Sequence, residues 1–369
     1  MQMPKLLFVT GSTFYPESSG GAQRSALFLF ESLTKLGWEI QIVCRTSVRS
    51  RYARTALSKL QLTRAIPDNE LGYPVWRWLG IFGKEETWLT WFDDFLDTYQ
   101  PDIVMGHNSP QCFLLNRALA RGYACYYFIR SLTCFELGQE LPKGIYPIAN
   151  SPLAAQASSS HFDHDIPVVL PFVDRERYLV SDRKREYITL INPIPQKGVE
   201  IALALAKKMP DRNFLFVKGK WSTYKKTQID AIVKPADALP NVEIWEYQSD
   251  MRKVYGVTDI LLVPSQFTET FGRVIIEAQA NKIPVVAAQV GGIPFTLGAG
   301  GILANPKDSV EPYFRALNSL MDEEHYAKIS ELAYQNSLRP EFDPAQQVQN
   351  FITAVSESTS KKDQLSVCV

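Results

Sequence analysis

The feature that most constrains this chain is a repeated alternation of short apolar runs with longer segments whose apolar residues recur every three or four positions. In the first half the runs are KLLFVTG, EIQIVC, PDIVMGHN and YACYYFIR; the second half contains EYITLINP, NFLFVKG, NVEIWEY, ILLVPS and IPVVAAQ. Such runs predict buried parallel strands, and the segments between them predict helices. The alternation therefore predicts an α/β fold in which helices cover both faces of a parallel sheet.

The pattern starts again in the second half, near DIPVVLPFVDRERY. A chain of 369 residues also exceeds what one hydrophobic core usually serves. We therefore predict Rossmann-like, doubly wound domains at residues 1–170 and 171–340, with residues 341–369 forming a C-terminal helix that can return to the first domain, then a polar tail. The two domains are expected to face each other across a cleft, with ligands beyond the carboxyl ends of the strands.

Composition excludes several classes of protein. Lys plus Arg equals Asp plus Glu at 39 each, so the net charge gives no indication of a nucleic-acid partner. The five cysteines are scattered, which indicates reduced thiols in the cytoplasm. The apolar run at the N-terminus is too short for a signal peptide, and no segment approaches the roughly 18 apolar residues of a membrane span. Peripheral membrane contact stays open.

Two further features are ambiguous. His161 and His164 lie close together, but no Cys or acidic cluster joins them, so we expect a loop there and no metal site. The stretch at residues 73–95 is rich in tryptophan and phenylalanine, in YPVWRWLG and ETWLTWFDDF. Its aromatic side chains either pack in the core or form an apolar face for an acceptor or a membrane.

Two glutamates stand out in QFTETFGRVIIEAQANKIPVVAAQVGG, where Glu269 and Glu277 are eight positions apart. The stretch follows the strand ILLVPS, and we expect a helix to begin within Thr268 to Arg273. The start of a helix offers unpaired N–H groups and a positive dipole end, which suit a phosphate. Eight helical residues would rise about 12 Å, a span from a sugar past a diphosphate to a ribose. Glu277 also lies between VII and AQA, where a buried acid needs a partner.

At this point the chain resembles a known family. The segment ETFGRVIIEAQANKIPVVAAQVGGIP, with the upstream YGVTDILLVPS, is similar to the glutamate–seven residues–glutamate signature of retaining glycosyltransferase family 4. The resemblance extends to FYPESSGGAQR near the N-terminus and to NPIPQKGVE at the start of the second half. It implies the B-type glycosyltransferase fold, with an acceptor-side N-terminal domain and a C-terminal domain that binds a nucleotide-sugar donor.

The resemblance also implies roles for matching residues. Glu277 would accept hydrogen bonds from the donor ribose, and Glu269 would meet the hydroxyls of the donor sugar near the reacting centre. The backbone around Thr270, Phe271 and Gly272 would approach the sugar and the diphosphate.

Lys197, in PQKG, would place a positive charge on the departing diphosphate. The family usually has an arginine five positions before this lysine, where this chain has Asn192. Asn can donate a hydrogen bond to phosphate but carries no charge. Either another cation compensates, with Arg273, Lys218 and Lys220 as the candidates, or leaving-group stabilisation is weaker.

The first half supplies further candidates. Gly20 and Gly21 suit a loop whose N–H groups approach a phosphate, and His107 follows a strand and would lie near the acceptor and the donor sugar. Arg130 also ends a strand and would contact acceptor or phosphate. Gln248, in the second half, is a weaker candidate near the base.

These features predict a retaining enzyme that moves a sugar from a nucleotide-diphosphate sugar, UDP- or GDP-linked, to a hydroxyl acceptor without a metal or other cofactor. The acceptor can be a small metabolite or natural product, a lipid or a glycan. Two alternatives stay open: a sugar-nucleotide epimerase or hydrolase, and a non-catalytic nucleotide-sugar-binding subunit, which the missing arginine favours. Neither the oligomeric state nor the identity of the sugar and base follows from the sequence.

Overall fold

The computed structural model describes residues 3–47, 50–53, 65–79, 85–107, 113–136, 138, 140–162, 165–219 and 224–366. The chain divides into two compact units. The first comprises Met1–Leu170 with Ala345–Val369, and the second comprises Pro171–Pro344. The sequence pattern placed the corresponding boundaries after residues 170 and 340.

A parallel sheet forms the centre of the first unit. Its strands are β1 (Lys5–Thr13), β2 (Glu39–Thr46), β3 (Ile66–Asp68), β4 (Val75–Leu79), β5 (Ile103–His107), β6 (Cys125–Ile129) and β7 (Ile145–Ala149). In the described residues their order is β3-β4-β2-β1-β5-β6-β7, and β3 alone runs antiparallel to its neighbour. β5, β6 and much of β1 are buried, as strands covered on both faces must be.

Helices pack on this sheet. Those described are α1 (Gly21–Lys35), α2 (Glu85–Tyr99), α3 (Phe113–Ala120), α4 (Thr133–Glu136) and α5 (Pro152–Ser158), and the chain returns with α13 (Pro344–Ser366). The returning helix is hydrogen-bonded to the unit: the Tyr126 hydroxyl donates to the Val355 carbonyl at 2.8 Å, and the Leu170 N–H donates to Gln347 Oε1 at 2.7 Å. Because α13 continues to Ser366, the expected polar tail is helical over most of its length.

The aromatic stretch at residues 73–95 is mainly core. Trp88 and Phe92 are 1% and 0% exposed, and the Trp78 and Trp88 ring centroids lie 4.5 Å apart. Trp76 and Trp91 are partly buried and pack against the same core. Packing of this kind contributes roughly 1.5–3 kcal/mol per fully buried apolar side chain. The stretch therefore stabilises the first unit through its own side chains.

The second unit repeats the architecture. Its strands are β8 (Tyr187–Ile191), β9 (Phe214–Val217), β10 (Val242–Trp245), β11 (Thr258–Val263), β12 (Val285–Ala288) and β13 (Gly301–Ala304). Over the described residues they form a parallel sheet in the order β10-β9-β8-β11-β12-β13. Its helices include α6 (Val199–Lys208), α7 (Lys226–Val233), α8 (Arg252–Val257), α9 (Arg273–Gln279), α10 (Ile293–Leu297), α11 (Val310–Ser319) and α12 (Glu323–Ser337).

These two sheets confirm the predicted α/β class with two doubly wound parallel-sheet domains. Each sheet also has a topological switch point, where the strand order reverses. It lies between β1 and β5 in the first unit and between β8 and β11 in the second. Open α/β sheets bind ligands beyond the carboxyl ends of the strands at such points. Functional residues are therefore expected at these points in each unit.

The first helix begins without a side-chain cap, because its N-cap is Gly20. The Ser18 hydroxyl donates to the Thr13 carbonyl at 2.7 Å, within the loop that precedes α1. The start of α1 therefore presents glycine backbone.

Candidate active site

An ion pair joins two loops at the switch point of the second sheet. Lys197 follows β8 and Glu269 follows β11, and the Lys197 ammonium lies 2.6 Å and 2.8 Å from the two carboxylate oxygens of Glu269. The Ser265 hydroxyl donates to Glu269 Oε2 at 2.8 Å. The Lys197 and Glu269 side chains are 25% and 12% exposed, so both are partly accessible to solvent while they bind each other. The pair brings together the cation and the acid that the sequence singled out.

Glycine at position 198 allows this approach. A Cβ on Gly198 would lie 2.0 Å from the Pro264 carbonyl oxygen, and its φ of +76° is also in the left-handed region. The two loops are fastened to each other where the Gln266 N–H donates to the Gln196 carbonyl at 2.8 Å. Any side chain at position 198 would therefore separate Lys197 from Glu269.

A third loop closes on the backbone of Glu269. The Gly292 N–H donates to the Glu269 carbonyl at 2.6 Å. A Cβ on Gly291 would lie 2.3 Å from that same oxygen, and a Cβ on Gly292 would lie 2.0 Å from the Thr270 carbonyl oxygen. The motif VGG therefore fixes the main chain on either side of the first glutamate. Thr270 and Phe271 are 7% and 2% exposed, so their contribution to a bound ligand would come mainly from backbone.

Glu277 lies in α9 and is 5% exposed. Its Oε2 accepts a hydrogen bond from the Tyr255 hydroxyl at 2.8 Å, and its Oε1 lies 3.4 Å from the Arg273 guanidinium. A buried carboxylate needs such partners. The helix begins at Arg273, within the predicted range Thr268 to Arg273, and Gly272, with a φ of +85°, is its N-cap, so Glu269 lies before the helix and Glu277 within it.

Asn192 has a backbone reason to be there. Its φ is +62°, in the left-handed region where asparagine is several-fold enriched among non-glycine residues. Its side chain packs against Gly219, where a Cβ would lie 2.6 Å from Asn192 Oδ1. Asn192 Oδ1 is buried and has no hydrogen-bond partner among the described residues. At the position where the family usually has an arginine, this chain therefore has a short side chain in a tight turn.

Two of the candidate compensating cations, Lys218 and Arg273, face carboxylates. The Lys218 ammonium lies 2.6 Å from Asp230 and 2.7 Å from Glu246, and these two carboxylates raise the pKa of Lys218. Arg273 faces Glu277, and Lys220 lies outside the described residues. Gln248 is tied to its own loop, donating to the Glu246 carbonyl at 3.0 Å. Lys197 is therefore the predicted site cation that meets Glu269.

The first unit gathers its own candidates at its own switch point. His107 ends β5, Arg130 follows β6, and Gly20 and Gly21 follow the loop after β1. Arg130 donates to the Ala22 carbonyl in the first turn of α1 at 2.7 Å. His107 is 2% exposed, and burial, followed by the charge of Arg130, holds its pKa well below the usual value. His107 is therefore neutral at physiological pH.

Sequence reasoning missed Ser265 and Tyr255. Ser265 lies two residues after the last residue of β11, so the criterion that selected His107, a polar residue at the end of a strand, also applied to it. Tyr255 carries no such signal, because its partner Glu277 is 22 residues away.

His161 lies exposed in a short helical turn, and its ring packs on Phe135 with centroids 4.9 Å apart. His164 falls outside the described residues.

The second unit matches a family model. Residues 173–336 match the model described as glycosyl transferases group 1. Over this segment, which is less than half of its length, the chain is similar to that family. The resemblance stated from the motifs is thus confirmed for this part of the chain.

None of the described helices has the length and apolar character needed to cross a lipid bilayer.

Curated relatives are identical to this chain at about a third or more of the aligned positions. A D-inositol 3-phosphate glycosyltransferase of Mycobacterium sp. (strain KMS) is 33% identical over 196 residues, 47% of this chain and 44% of the relative. Its counterpart in Corynebacterium kroppenstedtii is 44% identical over 194 residues, 44% of this chain and 43% of the relative. The chain therefore spans less than half the length of the curated relatives it matches.

Solved structures extend the likeness in fold to both units. A glycosyltransferase from Rickettsia africae ESF-5 has a TM-score of 0.74 at 17% identity, covering 97% of this chain and 99% of that one. Anabaena Alr3699/HepE, solved in complex with UDP-glucose, gives the same TM-score, identity and coverage. At this identity the likeness concerns the fold, which is that of B-type glycosyltransferases.

Proposed function

We propose that this protein is a retaining glycosyltransferase that moves a sugar from a nucleotide-diphosphate sugar to a hydroxyl acceptor. The observation that carries the proposal is the contact between Lys197 and Glu269 at the switch point of a unit that matches the model for glycosyl transferases group 1. A cation for a departing diphosphate and an acid for sugar hydroxyls lie side by side there.

The charge of Lys197 suits a leaving group. A lysine ammonium has three N–H donors, and Glu269 accepts from it with both oxygens. The interaction fixes the ammonium, and a preorganised charge needs little reorganisation as negative charge grows on a diphosphate. Glu277, further along the same segment, offers a buried carboxylate to paired hydroxyls of a ribose.

The reaction we propose is a front-face displacement. The bond between the anomeric carbon and the diphosphate oxygen breaks, the acceptor oxygen bonds to the anomeric carbon on the same face, and the acceptor proton passes to the departing phosphate oxygen. No separate general base is then required, and the lowered pKa of the buried His107 makes that residue a weak base. Double displacement through a carboxylate is the rival mechanism, and it also retains configuration.

The donor is a UDP- or GDP-sugar in this proposal. A UDP-sugar is supported by the complexes of Anabaena Alr3699/HepE with UDP-glucose and with UDP. The acceptor class, whether small metabolite or natural product, lipid or glycan, stays open. A non-catalytic nucleotide-sugar-binding subunit is the alternative that Asn192 supports, because this residue puts no charge where the family has arginine.

A binding and product assay tests the proposal. UDP, GDP, ADP and TDP and their sugars are screened for thermal stabilisation, since a ligand of the native state raises apparent stability. The stabilising sugar nucleotide is then incubated with acceptors, in buffer and in EDTA, and proton NMR follows the anomeric coupling of the first product. An α-linked product from an α-linked donor, formed equally in EDTA, is expected.

Three results would contradict the proposal. A β-linked product would overturn retention, and hydrolysis or epimerisation without an acceptor would assign the chain to another reaction. Binding of a nucleotide sugar with no turnover for any acceptor, together with no turnover in Asn192→Arg, would favour the non-catalytic subunit.

A further inference from the structure

A fully buried hydroxyl lies behind Glu277. Tyr255, in α8, is 0% exposed, and its hydroxyl oxygen is 2.8 Å from Glu277 Oε2. The Tyr255 ring packs edge-on against Tyr178, with centroids 6.3 Å apart. A ring held in this way gives its hydroxyl a fixed position. Because Tyr255 is fully buried, its hydroxyl contacts the Glu277 carboxylate and does not reach a ligand.

The second oxygen of Glu277 has a separate neighbour. Arg273 Nη2 lies 3.4 Å from Glu277 Oε1 and 3.3 Å from the Tyr178 hydroxyl. Each carboxylate oxygen therefore faces a different group, Tyr255 on one side and Arg273 on the other. Rotation about the last side-chain bond of a glutamate is normally broad. Here two fixed partners define the plane of the carboxylate.

The direction of the hydrogen bond is determined by chemistry. Burial, followed by the charge of Glu277, raises the pKa of Tyr255 well above its ordinary value, so the hydroxyl keeps its proton. An ionised carboxylate only accepts, and its two oxygens offer about four lone-pair sites. Tyr255 occupies one of these sites, which leaves lone pairs on both oxygens for donors from a ligand.

We propose that Tyr255 is a positioning residue that orients the Glu277 carboxylate toward paired ribose hydroxyls of the bound nucleotide. This inference rests on the proposed function, in which Glu277 receives those hydroxyls. Two adjacent hydroxyls are bound well by two oxygens only when the carboxylate plane is fixed before binding, because ordering a free side chain on binding weakens affinity. Tyr255 removes that ordering step.

The experiment measures dissociation constants by calorimetry for UDP, 2′-deoxy-UDP and 3′-deoxy-UDP. The variants are Glu277→Gln, Tyr255→Phe and, as a matched control, Tyr326→Phe. Tyr326 is 3% exposed in the same unit and donates to the Asp259 carbonyl at 3.0 Å, so its substitution removes an equally buried hydroxyl elsewhere. If the protein binds GDP or ADP instead of UDP, the deoxy forms of that nucleotide replace the set.

Wild type is expected to bind each deoxy form roughly 10-fold more weakly than UDP, the loss expected for a hydrogen bond to a charged group. Tyr255→Phe should weaken UDP binding about 3- to 10-fold and reduce the preference for UDP over the deoxy forms, since the Glu277 carboxylate is then less ordered before binding. Turnover at saturating donor should change little, and Tyr326→Phe should keep the wild-type preference. A merely structural role for Tyr255 would weaken all nucleotides alike.

A double variant covers the case in which Tyr255→Phe folds poorly, since that substitution leaves a buried charge without its donor. In Glu277→Gln/Tyr255→Phe the charge is gone, and UDP affinity should equal that of Glu277→Gln alone. An additional loss in the double variant would overturn the inference. If Glu277→Gln abolishes the preference and Tyr255→Phe keeps it, the role of Tyr255 fails alone. If wild type shows no preference, the ribose role of Glu277 fails, and the inference fails with it.

Discussion

Lys197 and Glu269 are 72 residues apart in sequence, yet the lysine ammonium donates to both carboxylate oxygens of the glutamate. The contact depends on backbone: Gly198 lies against the Pro264 carbonyl, and Gly291 and Gly292 lie against the main chain of Glu269 and Thr270. Main chain thus fixes both loops that carry the pair. A rigidly held charge is the arrangement that electrostatic stabilisation of a leaving group requires.

Lys197→Ala should lower turnover much more than it weakens donor binding. Removing one preorganised group that stabilises developing negative charge typically lowers kcat about 100- to 1,000-fold. Steady-state kinetics with calorimetry of the nucleotide separates kcat from affinity. Lys208→Ala is the control, because Lys208 lies on the following helix and pairs with Glu311 at the surface. A rise in KM with unchanged kcat would show that Lys197 only binds donor.

Glu277→Gln should weaken binding of the nucleotide by about 1.5–3 kcal/mol, because a charge-assisted hydrogen bond becomes a neutral one. The fold should persist, since the amide keeps the volume of the side chain. Calorimetry with the stabilising nucleotide measures the affinity, and circular dichroism checks the fold. Glu331→Gln, at an exposed ion pair with Lys282, should leave affinity unchanged. Wild-type affinity in Glu277→Gln would remove this residue from the binding site.

Asn192 and Gly219 should be coupled in stability. Gly219→Ala places a Cβ within 2.6 Å of Asn192 Oδ1 and should lower the free energy of unfolding by about 1–3 kcal/mol. Asn192→Gly removes the obstructing side chain and accepts the φ of +62°. The double variant should therefore be more stable than the sum of the single changes predicts. Urea unfolding of the four proteins checks this, and strict additivity would contradict the contact.

His107 should make stability depend on pH below neutrality. The pKa of His107 in the folded protein is held well below its usual value by burial and by Arg130, whereas in the unfolded chain it is about 6.5. Below that pH, His107 is protonated in the unfolded chain but stays neutral in the native state, so the free energy of unfolding falls as pH falls. This group should contribute a loss of about 1 kcal/mol between pH 7 and 5.5.

The matched protein for this measurement is His107→Gln, which cannot titrate. Urea unfolding of the full chain at both pH values should show that the free energy of unfolding decreases less between pH 7 and 5.5 in the variant than in wild type. Equal decreases in the two proteins would show that His107 titrates normally in the native state. The other histidines are present in both proteins and cancel in the comparison.

The fold was predictable because its signal is local and repeated. Strands such as ILLVPS and IPVVAAQ are continuous apolar runs, and their order along the chain specifies doubly wound sheets. The sequence also indicated that Glu269 and Lys197 each follow a strand, whereas the adjacency of these two strands, β8 and β11, is a finding of the structure. The start of the helix at Arg273 also lies within the predicted range, but the left-handed conformation of Gly272 that precedes it was not predicted, because glycine adopts many backbone conformations.

The partners of side chains were less predictable. Lys218 was a candidate cation for a phosphate, but Asp230 and Glu246 bind it, and these lie on other elements. Tyr255 in α8 and Glu277 in α9 are joined by a hydrogen bond between residues 22 positions apart. A local pattern contains no information on which distant residue faces a given side chain. The roles of the site residues in binding and catalysis stay predictions for the experiments above.

The return of α13 (Pro344–Ser366) to the first unit has a consequence for protein engineering. The second unit is one uninterrupted stretch, Pro171–Pro344, whereas the first is encoded in two pieces on either side of it. A gene fragment for the second unit can thus be exchanged between related proteins as a single cassette. A fragment that ends at residue 170 lacks Gln347 and Val355, which bond to Leu170 and Tyr126, and would leave apolar surface uncovered. Chimeras should therefore replace the middle of the chain and keep both of its ends from one parent.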